Sequence, residues 1–371
     1  MSRFFVLILL GKLLAASRNA TTPDSIQISP NTYPAARRNN NIFDDFFGTK
    51  VADPYRWLED PYSPETHRFV DELNAISKPF IAQAPSREQI MKRLTKLMDH
   101  ERYGLPSKHG NFYYYDYNTG LQNQDVIHRQ ISTKDKGEVF LDPNEISADG
   151  TVSLGQTEWT IDGSLLAYEL SENGSDWVTV KFRGADKNDL DDVIHGVRHS
   201  KLAWLKDNSG IFYSRFPFHK ADTRGTSVEK HEFHSLFFHR MGTDYRKDVL
   251  VYDRKDHPDD SINAIYYYDL SNFKENKGYT EKIDPKPLLD KMDALYQYVD
   301  HDKESMLILT NREAPNYKLI RVSLKNGSTW DVVPEHKQHR MESAFAAANN
   351  RLILTYIEDV KVRRVSEDLL A

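Results

Sequence analysis

Two stretches near the start of the chain repeat apolar residues with the period of an α-helix. In the first, the apolar side chains recur at spacings of four, three and four, at Phe69, Leu73, Ile76 and Phe80. It follows Ser63-Pro64, which is typical of a helix start. The second follows Ser86, and Gln89 three residues on predicts a capping box. Its apolar stripe is Ile90, Leu94, Leu97 and Met98. Both helices are amphipathic and therefore need a partner surface.

From about Tyr103 the pattern changes to short runs rich in Tyr, Phe, Val, Ile and Thr, separated by Asp-Gly and Asn-Gly pairs. This pattern predicts antiparallel strands joined by hairpins. A unit repeats within the region, because Trp159–Tyr168 matches Trp204–Tyr213 at an interval of 45 residues. The same interval separates Leu307–Leu309 from Leu352–Leu354. Periods of roughly 40–50 residues with about four strands each indicate the blades of a β-propeller.

The repeat has one gap. A turn followed by a strand is expected near residue 256, but Lys255–Asp260 leads directly into Ser261–Asp269, which resembles the outer strand of a blade. We therefore predict that the blade containing Val251 and Tyr266 lacks its inner strands, a deficit of roughly 25 residues.

Composition adds limits to this picture. At 371 residues the chain exceeds the size of a single core, so two units are expected. A hydrophobic fraction of 39% with 12% aromatic residues indicates a folded protein. The net charge of −6, with both signs interspersed, argues against nucleic-acid binding. Since there is no cysteine, disulfides, thiolate zinc sites and cysteine nucleophiles are excluded.

The N-terminus leaves two interpretations open. Residues 1–17 have the basic start, short apolar run and small-residue exit of a secretory signal, but Lys12 interrupts the run. They are either a cleaved leader or a plain extension, and the run is too short to span a bilayer. The predicted organisation is then a flexible connector over 18–45, a helical segment over 46–102 and an incomplete propeller over 103–371 with a blade gap near 256–260.

The spacing of the glycines argues against several kinds of catalytic and cofactor-binding motif. A nucleophile elbow needs Gly-x-Ser-x-Gly, and no two glycines are four residues apart. Glycines two apart are also absent, and Gly150 with Gly155 lacks the lysine of a phosphate-binding loop. No catalytic serine motif and no cofactor are therefore predicted.

The histidines and tryptophans favour structural roles. His231 and His234 are three residues apart in a strand-rich stretch, whereas the zinc-protease motif needs a spacing of four on a helix. His195 with His199 and His336 with His339 lie beside turns, so no metal site is predicted. Trp159 and Trp204 hold equivalent positions in the repeat, and we predict that they pack between blades rather than stack on a ligand.

Several blocks resemble the prolyl oligopeptidase family of serine peptidases. They are Asp53–Pro61, Tyr117–Gln124, Val139–Asn144, Gly174–Phe182, Ala314–Tyr317 and Val333–His336, and the similarity extends in order over roughly residues 46–360. The resemblance implies a mainly β fold, in which a seven-bladed propeller sits over an α/β-hydrolase domain and the helical segment packs on that hydrolase. It also implies an enzyme that hydrolyses short peptides after proline through Ser, His and Asp, with the propeller screening substrates by size.

The resemblance also implies roles for three residues. Asp176 matches a position that makes polar contacts between domains. His199 and Val251 match positions near the non-prime end of the substrate, where the family's aromatic and thiol are replaced by imidazole and isopropyl. The alternative is that all three are ordinary strand residues.

The expected function is the N-terminal and propeller portion of such a peptidase, inactive alone because the α/β-hydrolase domain and its triad are absent. The implied partners are short proline-containing peptides and the hydrolase domain in cis. The departures from the family pattern look like an alternative transcript or an incomplete gene model. Two alternatives remain open: a non-catalytic propeller that binds a peptide or protein, and a sister peptidase that cleaves after basic residues. The expected location is cytoplasmic, as in most of the family, or secreted if residues 1–17 act as a signal.

Overall fold

The computed structural model describes residues 28–216, 234–256, 264–270, 282–291, 293–347 and 351–368. These residues fall into two compact units. The first unit takes 28–104 and 117–123, and the second takes the other described residues. The possible leader, 1–17, lies outside the described residues.

The first unit contains a small hairpin and two helices. Strands β1 (Phe43–Phe46) and β2 (Thr49–Ala52) pair antiparallel, so strand structure begins within the predicted connector. Helices α1 (Pro64–Ala82) and α2 (Arg87–Met98) follow. Strand β3 (Arg102–Tyr103) then pairs antiparallel with Tyr117 and Asn118.

The structure confirms the first predicted helix start and contradicts the cap predicted for the second. Ser63 caps α1, because its side chain accepts a hydrogen bond from the backbone N–H of Glu65 at 3.3 Å. The capping box predicted at Ser86 is wrong. Ser86 has helical backbone angles (φ −87°, ψ −9°) and makes no side-chain cap bond, because a capping side chain needs an extended backbone to reach back to the helix. The apolar stripe of α2 is about half exposed, with Ile90 at 52% and Leu94 at 51%.

The second unit is a propeller-like succession of antiparallel sheets, which confirms the mainly β prediction. The first sheet contains β4 (Ser107–His109), β5 (Phe112–Asn118), β6 (Val126–Gln130) and β7 (Glu138–Leu141). The second contains β8 (Val152–Trp159), β9 (Leu165–Glu172), β10 (Trp177–Gly184) and β11 (Asp189–Arg198). The third contains β12 (Ala203–Trp204), β13 (Gly210–Arg215), β14 (Ser235–Arg240) and β15 (Val249–Tyr252).

The remaining sheets vary in strand number. The fourth contains β16 (Ile265–Tyr267) and β17 (Lys286–Leu289). The fifth contains β18 (Tyr296–His301), β19 (Ser305–Thr310), β20 (Lys318–Ser323) and β21 (Thr329–Val333). The sixth contains β22 (Arg340–Ala347), β23 (Arg351–Glu358) and β24 (Lys361–Asp368). In the second, third, fifth and sixth sheets, strands that are consecutive in sequence are also neighbours in the sheet.

The core of this unit lies between consecutive sheets, as a propeller requires. Trp159 of the second sheet packs on Tyr114 of the first, with ring centres 4.2 Å apart. Trp204 of the third sheet packs on Phe182 of the second at 5.6 Å. Its indole N–H also donates to the carbonyl of Glu158 at 3.0 Å. The prediction that both tryptophans pack between blades is confirmed.

The prediction that Val251 and Tyr266 share one short blade is wrong. Val251 lies in β15, the fourth strand of a complete third sheet, whereas Tyr266 lies in β16 of the two-stranded fourth sheet. Among the described residues, it is therefore the fourth sheet that has fewer strands than the others. Most of the predicted gap, 257–260, lies outside the described residues. Within the part of the chain that is described, no helix is long and apolar enough to cross a membrane.

Candidate functional site

An ion pair and an aromatic ring lie together at one end of the second sheet. The β9–β10 turn places Asp176 directly before β10, and Trp177 stands opposite Arg198, the last residue of β11. The guanidinium of Arg198 lies 5.6 Å from the centre of the Trp177 ring. Its Nη2 donates to Asp176 Oδ2 at 2.9 Å. The Asp176 side chain remains 61% exposed, so it can still accept bonds from another molecule.

Three further side chains extend this group. His234 donates its Nε2–H to the carbonyl of Arg198 at 3.0 Å. The Phe216 ring lies 4.5 Å from the His234 ring and 6.2 Å from the Trp177 ring. His199 follows Arg198 with a left-handed backbone (φ 52°) and an exposed side chain. We name this group the Arg198 cluster; its members are Asp176, Trp177, Arg198, His199, Phe216 and His234.

The electrostatics of the Arg198 cluster suit binding. Burial lowers the pKa of His234, the hydrogen bond to the Arg198 carbonyl opposes this shift, and a charge on His199 adds to it. His234 is therefore neutral near pH 7, with Nε2 as donor and Nδ1 as acceptor. The cluster presents a guanidinium, aromatic faces and imidazoles, which suit peptide carbonyls and apolar side chains. Its six side chains include no hydroxyl or thiol group.

The structure places two of the three predicted site residues in this cluster and the third elsewhere. Val251 is fully buried in a core group with Phe238, and Leu236, Val249 and Ile283 pack against the same group. Its isopropyl group therefore packs the third sheet from inside. The substrate-side role of Val251 stays a prediction.

Sequence reasoning missed a buried polar network between the second and third sheets. His239 on β14 is 0% exposed, and both of its ring nitrogens lie beside carboxylates. Nδ1 is 2.8 Å from Asp248 Oδ1, and Nε2 is 3.1 Å from Asp192 Oδ1. The Tyr213 hydroxyl donates to Asp248 Oδ2 at 2.8 Å, and the Gly242 N–H donates to Asp192 Oδ1 at 2.5 Å.

This network is structural rather than catalytic. A neutral imidazole has one N–H, so donating to two carboxylates requires the protonated ring. Burial lowers the pKa of His239, but the hydrogen bonds and charges of Asp248 and Asp192 outweigh burial, and the pKa is raised. Both nitrogens are occupied and the ring is shielded, so His239 cannot act as a general base.

The other histidines singled out from the sequence have contacts with neighbouring side chains and backbone where the structure describes them. His195 Nδ1 lies 3.2 Å from the Thr179 hydroxyl. The rings of His336 and His339 stack at 4.5 Å, and His336 Nδ1 accepts the backbone N–H of His339 at 3.0 Å. His231 lies outside the described residues. Across the described ranges, no three His, Asp or Glu side chains converge in a way that would hold a metal ion.

Comparison with known proteins identifies the family to which the chain belongs. Residues 34–367 match the family model described as the prolyl oligopeptidase N-terminal β-propeller domain. A prolyl endopeptidase of Elizabethkingia meningoseptica is 33% identical over 319 residues, which cover 82% of this chain and 44% of that enzyme. Prolyl oligopeptidase A of Amanita bisporigera is 29% identical over 386 residues, which cover 91% of this chain and 50% of the relative.

A solved prolyl endopeptidase structure has the same fold over most of this chain. The TM-score is 0.75 at 24% identity, and the match covers 91% of this chain and 51% of that structure. The chain thus spans about half the length of the curated relatives that it matches.

Proposed function

Because the chain belongs to the prolyl oligopeptidase family, we propose that it forms the N-terminal segment and propeller of a proline-specific oligopeptidase. In this proposal, short peptides reach an α/β-hydrolase domain that lies outside these 371 residues and supplies the catalytic serine. The observation that carries the proposal is the match to the N-terminal propeller family model over residues 34–367. The absence of any Gly-x-Ser-x-Gly from the 371 residues supports placing the nucleophile elsewhere.

The exposed apolar stripe of α2 supports the expected contact with the hydrolase. Ile90, Leu94 and Leu97 are each at least 51% exposed, which is unfavourable for apolar side chains that share one helix face. We propose that residues 46–102 pack on the hydrolase domain through this stripe, and that 103–371 contribute blades to a propeller of the seven-bladed type.

For the predicted site residues we propose two kinds of role. Asp176 and His199, at the exposed side of the Arg198 cluster, contact the hydrolase domain or the peptide that it binds. The charge of Asp176 is balanced by Arg198, so the pair can exchange partners at small electrostatic cost. Val251, which is fully buried, holds β15 in place from within the third sheet.

Two alternatives differ in substrate or in class. A sister peptidase would cleave after basic residues, whereas a non-catalytic propeller would bind its peptide without a hydrolase. The 33% identity to a prolyl endopeptidase favours the proline-specific branch. The location depends on residues 1–17: we propose a cytoplasmic protein if they are retained and a secreted one if they are removed. N-terminal sequencing of the protein expressed in eukaryotic cells decides between the two.

A chimera tests the proposal. Residues 34–367 replace the matching portion of the E. meningoseptica enzyme, and fluorogenic peptides ending in Gly-Pro or in Arg-Arg are compared. We expect turnover of the Gly-Pro peptide, little turnover of the Arg-Arg peptide, and exclusion of a folded protein substrate. Asp176→Ala should raise KM several-fold, while Asp244→Ala, which breaks an exposed ion pair with Arg246, should not. A folded chimera that prefers Arg-Arg, or that is inactive on both peptides, would contradict the proposal.

A further inference from the structure

The tripeptide Asn-Gly-Ser occurs in two exposed turns of the second unit. One copy is residues 173–175 in the β9–β10 turn, and the other is residues 326–328 in the β20–β21 turn. In such a sequence the glycine nitrogen can attack the side-chain amide carbon of the asparagine before it, because glycine has no side chain to obstruct the approach. Since the two tripeptides are identical, a difference in their reactivity must come from the fold.

The β9–β10 turn leaves its Asn-Gly peptide exposed. Asn173 and Gly174 both have left-handed backbones (φ 54° and 71°), and the Ser175 N–H closes the turn by donating to the Glu172 carbonyl at 3.0 Å. The space around Gly174 is open, with no atom within 4 Å of the place that a Cβ would take. Within the described ranges, the Gly174 N–H donates to no acceptor. The nitrogen that would attack is therefore accessible and unoccupied.

The β20–β21 turn holds the same peptide with two hydrogen bonds. The Gly327 N–H donates to the carbonyl of Ser323 at 2.9 Å, so the nitrogen that would attack is occupied. The Ser328 N–H donates to Asn326 Oδ1 at 3.0 Å, which turns the side-chain carbonyl towards a different nitrogen. Both bonds must break before the asparagine side chain can react with the glycine nitrogen. This copy of the tripeptide is therefore protected.

We propose that Asn173 is a site of spontaneous deamidation in the folded chain. The nitrogen of Gly174 forms a bond to Cγ of Asn173, and the bond between Cγ and Nδ2 breaks. The side-chain nitrogen leaves as ammonia and takes the proton of the Gly174 N–H with it. One water molecule then opens the resulting succinimide ring at either carbonyl and gives aspartate or isoaspartate. The inference does not depend on the peptidase activity proposed above.

The product changes the Arg198 cluster. Asn173 and Asp176 lie in the same connection, between the end of β9 and the start of β10. Deamidation adds a carboxylate near Asp176, and this new charge competes for Arg198, which now pairs with Asp176 at 2.9 Å. Isoaspartate also lengthens the main chain of the turn by one carbon atom, and the turn fixes where Asp176 stands relative to its partners. The modification therefore weakens the Asp176–Arg198 pair.

Ageing of the purified 371-residue chain tests the proposal. The folded protein is kept at mildly alkaline pH, which favours loss of the amide proton, and peptides are then mapped by mass spectrometry for a gain of about 1 Da. Asn326 is the internal control. We expect Asn173 to be converted at least ~10-fold faster, because two hydrogen bonds protect Asn326. In urea that unfolds the chain, the two sites should react at similar rates.

Three results would overturn the proposed site: no conversion of Asn173 in the folded chain, equal or faster conversion of Asn326, or the same ratio of rates in urea. Hydrogen exchange of aged and fresh protein tests the effect on the cluster. Amides of 173–178 should exchange faster after ageing, while those of 323–329 should not change. Asn173→Gly tolerates the left-handed backbone and has no side-chain amide, so its turn should not change with age. Unchanged exchange at 173–178 in the deamidated natural chain would overturn the effect on the Arg198 cluster.

Discussion

The His239 network offers the sharpest test of how the second and third sheets are held together. The perturbation is His239→Gln, which keeps a similar length and removes the charge. In the natural chain the imidazolium donates to Asp192 and Asp248 at 3.1 and 2.8 Å, and both carboxylates are at least 92% buried. Glutamine can serve one carboxylate and leaves the buried negative charge uncompensated. Breaking a buried ion pair in this way should lower the free energy of unfolding by ~3–5 kcal/mol.

The pH dependence of that loss has a definite sign. The pKa of His239 is raised above that of an unfolded histidine, ~6.5, because the two carboxylates outweigh burial. The groups that surround the ring are Asp192 from β11, Asp248 from the β14–β15 connection, and Tyr213 from β13 through Asp248, while Phe182 of β10 stacks on it. Because the pKa is raised on folding, the protonated His239 ring contributes its full stabilisation to the folded state below pH ~6.5. The contribution falls as pH rises through the raised pKa, by at most ~1.4 kcal/mol per pH unit.

Urea unfolding followed by tryptophan fluorescence, repeated from about pH 5.5 to about pH 9, measures this contribution. The range starts below the unfolded pKa of ~6.5 and extends upward to follow the loss of the charge in the folded chain. The difference between the natural chain and His239→Gln should be largest at the acidic end and should shrink as pH rises. His195→Gln, an exposed histidine on β11, is the matched control and should change stability by less than ~0.5 kcal/mol. A difference below ~1 kcal/mol at pH 6, or one that grows with pH, would refute the reasoning.

Three smaller predictions concern turns and sheet contacts, each measured as a change in the free energy of unfolding. Val360→Gly should stabilise the chain by ~1 kcal/mol, because a β-branched residue at φ 63° is strained and its side chain is 97% exposed; unchanged or lower stability would argue against strain. Gly163→Ala should cost at least ~2 kcal/mol, because its Cβ would lie 2.2 Å from Gly110 N, while Gly174→Ala, at a similar φ with open space, should cost less; equal costs would contradict this. Trp204→Phe should cost ~1–2 kcal/mol through loss of the 3.0 Å bond to a backbone carbonyl; a cost near zero would mean that this bond contributes little.

The parts of the fold that sequence could predict are those with local or periodic signals. Ser63-Pro64 marks a helix start because the cap and the proline act within one turn. The 45-residue repeat places Leu307–Leu309 and Leu352–Leu354 in β19 and β23, each the second strand of its sheet. Equivalent tryptophans then pack equivalently between sheets, as the repeat implies.

What could not be predicted depends on contacts between distant residues. His239 finds Asp192 47 positions away and on another sheet, and no spacing in the sequence marks such a pair. The sequence pattern places Val251 in the short blade because a two-stranded sheet has no repeat signal of its own, so the pattern does not show where the third sheet ends. In the Arg198 cluster, the family resemblance pointed to Asp176 and His199. Arg198, which holds the cluster together, had no motif to identify it.

Hydrolysis of a fluorogenic peptide ending in Gly-Pro by the purified 371-residue chain is the most direct test of the central claim. The claim is that these residues form a propeller that serves a catalytic domain located elsewhere. We therefore expect no turnover above a buffer control from protein that is folded by circular dichroism. Turnover that co-purifies with the chain and is abolished by a serine-directed fluorophosphonate would contradict the claim, because it would require a nucleophile among residues in which the elbow motif is absent.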